Sequence, residues 1–301
     1  MDLQQIINSP YTVRFISAVA RLFPPGIAYP ACDLIGKWAA ARRHSPVTQA
    51  VRLNQWMARG ATLDGKTLDD AVRETLQNNV RDLYELYHHL DRYEIIRRKL
   101  CLNPLADELV RRPEFNGRGL VIVGIHLGSF DSILLSMVHQ GFKPLVLTIP
   151  NPQGGRRVEF EMRQRTGMNI VPASLDALRQ ATRHLERGGL VLTGIDRPVA
   201  DIRLHPRFYG QPAPLPTHHI LLALKARVPV VLMAVIRQED GKYNVLSSDI
   251  MEMEQHSNHE RAILQNAEMV LEQAESFIRL VPQQWNVPLP VWPELIDKVP
   301  S

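Results

Sequence analysis

The spacing of apolar residues changes character once along this chain, near residue 119. Before that point apolar positions recur every three or four residues, the period of an amphipathic helix. Thr12 to Phe23 shows it: Phe15, Ile16, Val19, Leu22 and Phe23 share one face, opposite Arg14 and Arg21. Pro24-Pro25-Gly26 ends that helix, and a second apolar helix runs from about Tyr29 to Ala41, closing on Arg42-Arg43. Residues 11–100 read as helical throughout. Beyond residue 119, short apolar runs alternate with amphipathic segments. Strands are predicted at 119–125, 144–149, 169–172, 190–195, 229–236 and 243–247. Helices fall near 131–140, 155–166, 174–187 and 217–226, and a last one runs from about His259 to Leu280. Gly188-Gly189 is a clear stop after the third of these. Strands separated by helices build βαβ units. The predicted fold class is therefore α/β: a mainly parallel central sheet flanked by helices, with an N-terminal helical region. The division falls at 1–100 for that region and 101–301 for the α/β core, as one continuous domain.

Composition narrows the partners. At 301 residues and 45% apolar content, the chain suffices for one large core or two ordinary domains. Cys32 and Cys101 are far apart and lack metal-type spacing, which predicts reduced thiols and a cytosolic setting. Adjacent His218 and His219 diverge, so no metal site is expected. Met1-Asp2-Leu3-Gln4-Gln5 lacks a basic n-region, which argues against a secretory signal. The longest apolar stretch, Ile220 to Ile236, is broken by Lys225, Arg227 and Pro229, so no spanning helix is expected and the protein is soluble or peripheral. The net charge of +4 is clustered: Arg42-Arg43, Arg97-Arg98-Lys99, Arg111-Arg112, Arg156-Arg157, Arg163 and Arg165. Such clusters suit anionic headgroups, phosphates or nucleic acid, and any single one equally suits a solvated helix face. Aromatics make up 6% and are not interleaved with the basic runs, so nucleic acid is not expected as a partner. No glycine-rich phosphate loop and no G-x-S-x-G elbow occur, which disfavours nucleotide chemistry and an ordinary serine hydrolase.

The candidate chemistry sits in His126-Leu127-Gly128-Ser129-Phe130-Asp131. It follows the buried run Gly119 to Ile125 and precedes Ser132 to Met137, which begins a helix. A His and a carboxylate are thus held at the carboxyl end of a strand, where open α/β sheets bind ligands. An imidazole with a carboxylate partner is a general base of fixed orientation. Spacing alone proves little, since 11 His supply about one H-x4-[DE] match by chance. His89 and Glu94 are such a decoy, lying in a helical stretch where five residues span about 500° and the two side chains diverge. The alternative for His126 is a loop His that hydrogen-bonds its own turn.

Further motifs follow in order. Arg163 stands four residues before Gly167. Asp196-Arg197-Pro198 ends the strand Leu190 to Ile195. Phe208-Tyr209-Gly210-Gln211-Pro212 leads into a helix and then Val228-Pro229-Val230. Pro282-Gln283-Gln284-Trp285 comes last. With the His126–Asp131 box, this series resembles the lysophospholipid acyltransferase superfamily, and more closely its branch of lipid A late acyltransferases and phosphatidylinositol mannoside acyltransferases, over most of the chain. The resemblance implies a glycerolipid acyltransferase-like fold and acyl transfer from a thioester donor to a hydroxyl of a lipid or glycolipid. His126 would then be the general base, with Asp131 stabilising the imidazolium. Arg163 would stabilise the oxyanion, with backbone N–H groups at the start of the next helix as alternative donors. Asp196 would orient Arg163 or hydrogen-bond the turn around His126. Arg156, Arg157 and Gln211 are substrate-binding candidates; Gln211 stands where mannoside acyltransferases tend to carry an acid. No cofactor is implied beyond acyl-CoA or acyl carrier protein as co-substrate. The resemblance and the charge pattern place the protein peripherally on the cytoplasmic face of the membrane, held by an anionic surface. Thr12 to Phe23 suits an interfacial helix or one packed on the core, and Trp285 and Trp292 suit an interfacial edge or the core. Two rival functions are a thioester or lipid-ester hydrolase and a non-catalytic lipid-binding homologue.

Overall fold

Proline opens the first three helices, at the position where its missing N–H costs nothing and its φ is already helical. These are α1 (Pro10–Leu22), α2 (Pro25–Ala41) and α3 (Pro46–Ala58). The Ser45 side chain accepts from Thr48 N–H to cap α3, and Asp64 caps α4 (Gly65–His89) in the same way at Thr67. Short α5 (Tyr93–Arg97) follows. The structure, a computed structural model, describes residues 9–112 and 115–300; the Met1–Gln5 segment read above for a leader lies outside them.

Then the alternation begins: β1 (Leu100–Leu102), α6 (Pro104–Arg111), β2 (Leu120–Gly124), α7 (Phe130–His139), β3 (Leu145–Thr148), α8 (Gly155–Arg165), β4 (Ile170–Pro172), α9 (Leu175–Glu186) and β5 (Leu190–Gly194). A two-residue-per-strand hairpin, β6 (Arg207–Phe208) and β7 (Gln211–Pro212), leads to α10 (His218–Ala226), β8 (Val230–Arg237), β9 (Tyr243–Ser247) and α11 (His259–Leu280). Seven strands form one sheet in the order β1-β9-β8-β2-β5-β3-β4. Every pairing is parallel except β8 with β9, which are joined by the tight turn at Gly241. The fold is α/β with a mostly parallel sheet flanked by helices, as the pattern predicts.

Expected and observed elements differ mainly around residue 100. Residues 11–100 are not helical throughout: Leu100-Cys101-Leu102 leave the helical run as edge strand β1, parallel to β9. Three residues are too few to show the alternation that marks a strand.

The central strand β2 sorts its residues by parity, as pleating requires. Val121, Val123 and Ile125 pack into one core with Leu53 and Met57 of α3, Ala181 and Leu185 of α9, and Val270 of α11. Leu120 and Ile122 pack on the opposite side with Val13 and Ala20 of α1, Tyr84 and Tyr87 of α4, and Ile133 of α7. Helix α1 rests on α4 through small residues, Val13, Ser17 and Ala20, and leaves Tyr11, Phe15, Leu22 and Phe23 exposed. Ile16 and Val19 are half-buried, so the apolar face expected of Thr12–Phe23 is split between core and solvent. Helix α2 lies on α4 as well and exposes Ile27, Leu34, Ile35 and Trp38. Among the described residues, no helix is long and apolar enough to cross a membrane.

Candidate active site

Strand register builds the site. Gly124 of β2 is paired with Gly194 of the neighbouring parallel strand β5. His126 and Asp196 each lie two residues further on, so the two side chains leave the sheet side by side. Nδ1 of His126 is 2.6 Å from Oδ1 of Asp196, and the other carboxylate oxygen accepts the backbone N–H of His126 at 2.8 Å. Trp285 Nε1–H donates to that second oxygen at 2.9 Å. Asp196 is fully buried. Burial pushes its carboxyl up, but the His126 ring, the two His126 hydrogen bonds and the Trp285 indole outweigh it and hold Asp196 below the ordinary carboxylate range. An ionised Asp196 can only accept, so it fixes the Nδ1–H tautomer and leaves the Nε2 lone pair available. The His126 side chain keeps 23% of its surface in contact with solvent.

Two glycines make room for this geometry. A Cβ on Gly194 would lie 3.3 Å from Cε1 of His126, and Gly128 takes φ +56°, where a Cβ would meet the Val235 carbonyl at 2.9 Å.

The pairing expected between His126 and Asp131 gives way to a different one. Asp131 stands in the first turn of α7 and pairs with Arg163, Nη2 to Oδ2 at 2.9 Å. Burial pushes Asp131 up, yet Arg163 first and His126 second hold its carboxyl below the usual range, so its charge does reach the imidazole. Asp196 takes the position on the ring. Of the two roles weighed for Asp196, the geometry shows the bond to the turn around His126.

Arg163 comes from the last turn of α8 and keeps 18% of its side-chain surface exposed. Its Nε is buried and has no hydrogen-bond partner among the described residues; the same holds for Nε of Arg197, directly after Asp196. Burial pushes the Arg197 guanidinium below its ordinary value, against Asp196 and Asp131, which favour the charge. Arg156 is exposed in the first turn of α8 and its charge reaches Arg197. Arg157 is exposed and pairs with Glu161 at 3.0 Å. Gln211 lies exposed on the β6–β7 hairpin, with no hydrogen bond to His126, Asp131, Arg163 or Asp196. The structure thus brings together His126, Asp131, Arg163 and Asp196, sets Arg156 at their edge, and leaves Arg157 and Gln211 outside.

The C-terminal segment closes the site from behind. Gly128 N–H donates to the Gln284 carbonyl at 2.9 Å, and Asn286 N–H to the His126 carbonyl at 2.7 Å. The Asn54 side chain holds that segment in turn through the carbonyls of Val287 and Leu289 and the N–H of Val291. Trp285 and Trp292 are buried against Phe208, and Trp292 Nε1–H donates to its carbonyl. Of the two settings weighed for these indoles, core packing is the one observed.

Arg197, Gln284 and Trp285 had no catalytic role assigned in the sequence, although each lies in a motif noted there: Arg197 after the strand-end Asp196, Gln284 and Trp285 in Pro282-Gln283-Gln284-Trp285. His89, the decoy, is buried on α4 with Nδ1 3.0 Å from the Glu85 carbonyl, and Glu94 pairs with Arg97.

Fold and site together define an α/β protein with a carboxylate-anchored imidazole at the carboxyl edge of its sheet, ringed by arginines. The chain belongs to the bacterial lipid A biosynthesis acyltransferase family, whose profile matches residues 5–292. Membership makes it an acyltransferase of lipid biosynthesis, transferring an acyl chain onto a lipid. No curated protein matches it in sequence.

Proposed function

We propose that this acyltransferase moves a fatty acyl chain from a thioester, acyl-CoA or acyl carrier protein, to a hydroxyl of a lipid or glycolipid, with His126 as general base. One observation carries the reading: Nδ1 of a partly exposed His126 is held 2.6 Å from an ionised, buried Asp196. Nε2 takes the hydroxyl proton as the acceptor oxygen attacks the thioester carbonyl carbon. The tetrahedral intermediate collapses with cleavage of the C–S bond, and the imidazolium returns the proton to the departing thiolate. Asp196 stabilises the imidazolium between these steps. Arg163, with an unused Nε–H and a position fixed by Asp131, is the donor proposed for the oxyanion, and Arg197 supplies a second cation. Asp131 therefore acts through Arg163 first and through the field at His126 second. A thioester is already activated, so the step calls for no covalent acyl-enzyme and no cofactor.

The same reading seats the protein on the cytoplasmic face of a membrane. Phe15, Leu22, Ile27, Leu34 and Trp38 on α1 and α2 are exposed, as are Arg14, Arg21, Lys37 and Arg42, a composition that suits an anionic interface. Arg42 stacks over Trp38 at 3.4 Å. The acceptor would reach His126 from the bilayer and the donor from the cytosol.

The test is product identification. Purified protein is given radiolabelled acyl-CoA or acyl carrier protein with total bacterial membrane lipid. The reading expects label in a lipid acceptor, and release of free fatty acid only slowly without acceptor. Rapid donor hydrolysis with no labelled lipid would replace it with a hydrolase.

A further inference from the structure

Ser129 lies inside the His126–Asp131 box, at the position that caps α7, yet its side chain makes no cap bond. A serine there ordinarily accepts from the helix N–H groups. Here the hydroxyl is turned into the protein, 2.8 Å from Oδ1 of Asp82 and in hydrogen-bond contact with Oε2 of Glu85. Both acids project from one face of α4 and are buried, Glu85 completely. Two acids and one hydroxyl do not balance unless one acid carries a proton. Ser129 has one hydrogen to donate, and an ionised carboxylate has none. Both contacts are full two-centre hydrogen bonds only when an acid O–H donates one of them.

The surroundings say which acid it is. Glu85 accepts from the Tyr29 hydroxyl at 2.6 Å, lies 3.4 Å from the Arg237 guanidinium and faces the Tyr243 hydroxyl. Against the effect of burial, Arg237, Ser129 and the two tyrosines hold it below the ordinary value. Asp82 is 3.5 Å from the same Arg237, whose other nitrogen serves Asn78, and its Oδ2 is buried without a partner. A carbonyl oxygen tolerates that isolation better than a carboxylate does. Burial, opposed by Arg237 and reinforced by Glu85, pushes Asp82 up to about 7. Arg81 also faces Asp82 but is engaged by Asp33 and stacked over Tyr29.

We propose that Asp82, Glu85 and Ser129 form a one-proton clasp that positions His126, the hydrogen bonds running from the Asp82 acid to the Ser129 hydroxyl and from that hydroxyl to the Glu85 carboxylate. The three are positioning residues, and the clasp rests on the reading that His126 is the reacting group. A second tie runs through the same arginine: Gln284 accepts from Arg237 N–H at 2.9 Å, donates to its carbonyl at 2.8 Å, and offers its own carbonyl to Gly128 beside Ser129. When Asp82 ionises, two buried carboxylates share one Arg237 and one hydroxyl hydrogen. The loop between Leu127 and Phe130 then loses half of its inner anchor, and the imidazole loses its placement.

The experiment is kcat and KM against pH for the full chain with labelled acyl donor and membrane lipid, from about pH 6 to about 8.5, on the wild type, Asp82→Asn and Ser129→Ala. Wild-type kcat should fall above about pH 7, by up to about tenfold per pH unit, with KM unchanged. In Asp82→Asn an amide N–H donates where the acid O–H did, so kcat should match wild type near pH 6 and the alkaline fall should vanish. Ser129→Ala should lose about 10- to 100-fold in kcat near pH 6 with KM intact, and the gap to wild type should narrow as the wild type falls above about pH 7. Melting temperature gives an independent reading. A carboxyl raised in the folded state stabilises most at low pH, and that contribution is lost as pH rises through about 7. Asp82→Asn should therefore gain on wild type from acid to neutral pH. An alkaline limb identical in wild type and Asp82→Asn, or full turnover in folded Ser129→Ala, would overturn the clasp. Should Asp82→Asn not fold, a flat wild-type kcat across this range overturns it alone. Failure of the underlying reading would show separately, as turnover surviving in His126→Ala.

Discussion

At the residue scale, the account turns on which carboxylate serves the imidazole. Asp196 is buried, accepts three hydrogen bonds, two from His126 and one from Trp285, and is held below the ordinary value of 3.8. A depressed carboxyl stabilises the fold above its unfolded value, and that contribution is lost only as pH falls below it. Asp196 accordingly stays charged across the working range. Asp196→Asn would place an amide against Nδ1 and favour the wrong tautomer, so kcat should drop by about 10²–10⁴ with KM little changed. Asp131→Asn loosens Arg163 and should cost less, about tenfold. Steady-state kinetics on the two folded variants checks the order; a larger loss from Asp131→Asn would return the imidazole to the partner that spacing suggests. The five-residue spacing was legible and the true partner was not, because a pairing between parallel neighbours depends on register, here Gly124 with Gly194, which no local pattern encodes.

At the element scale, the segments the sequence marks best are those whose apolar period is long and uninterrupted. Buried strands β2, β5 and β8 and the long helices α4 and α11 were legible for that reason. Edge strand β1 and the β6–β7 hairpin were not, being held by neighbours: β9 for the first, α11 through Glu268 and Glu275 for the second. Helix α1 divides its apolar residues by size, small ones toward α4 and large ones toward solvent. Phe15→Ser with Leu22→Ser should thus leave the melting temperature unchanged, since neither side chain is buried. It should reduce sedimentation with anionic vesicles, and added salt should weaken wild-type binding only in part. Unfolding of the double variant would show instead that this face is covered within the protein.

At the scale of the whole molecule, the sheet edge, α4 and the C-terminal Pro282–Trp285 segment converge on one loop from three directions. Arg163, Asp196 and Asp131 could be named from the sequence because each ends or begins a recognisable element. Asp82 and Glu85 could not, and Gln284 and Trp285 could be noted only as a motif without a task, because what all four do lies more than 40 residues away along the chain, in contacts to Ser129, Gly128 and Asp196. Whether His126 is the base of the acyl transfer is decided by the turnover of folded His126→Ala with labelled acyl donor and membrane lipid, beside His89→Ala as a control. His89 is buried, so that control should melt lower while keeping wild-type kcat per folded molecule. His126→Ala should fold, keep its vesicle binding and lose about 10²–10⁴ in kcat; turnover within a few-fold of wild type would remove His126 as the base.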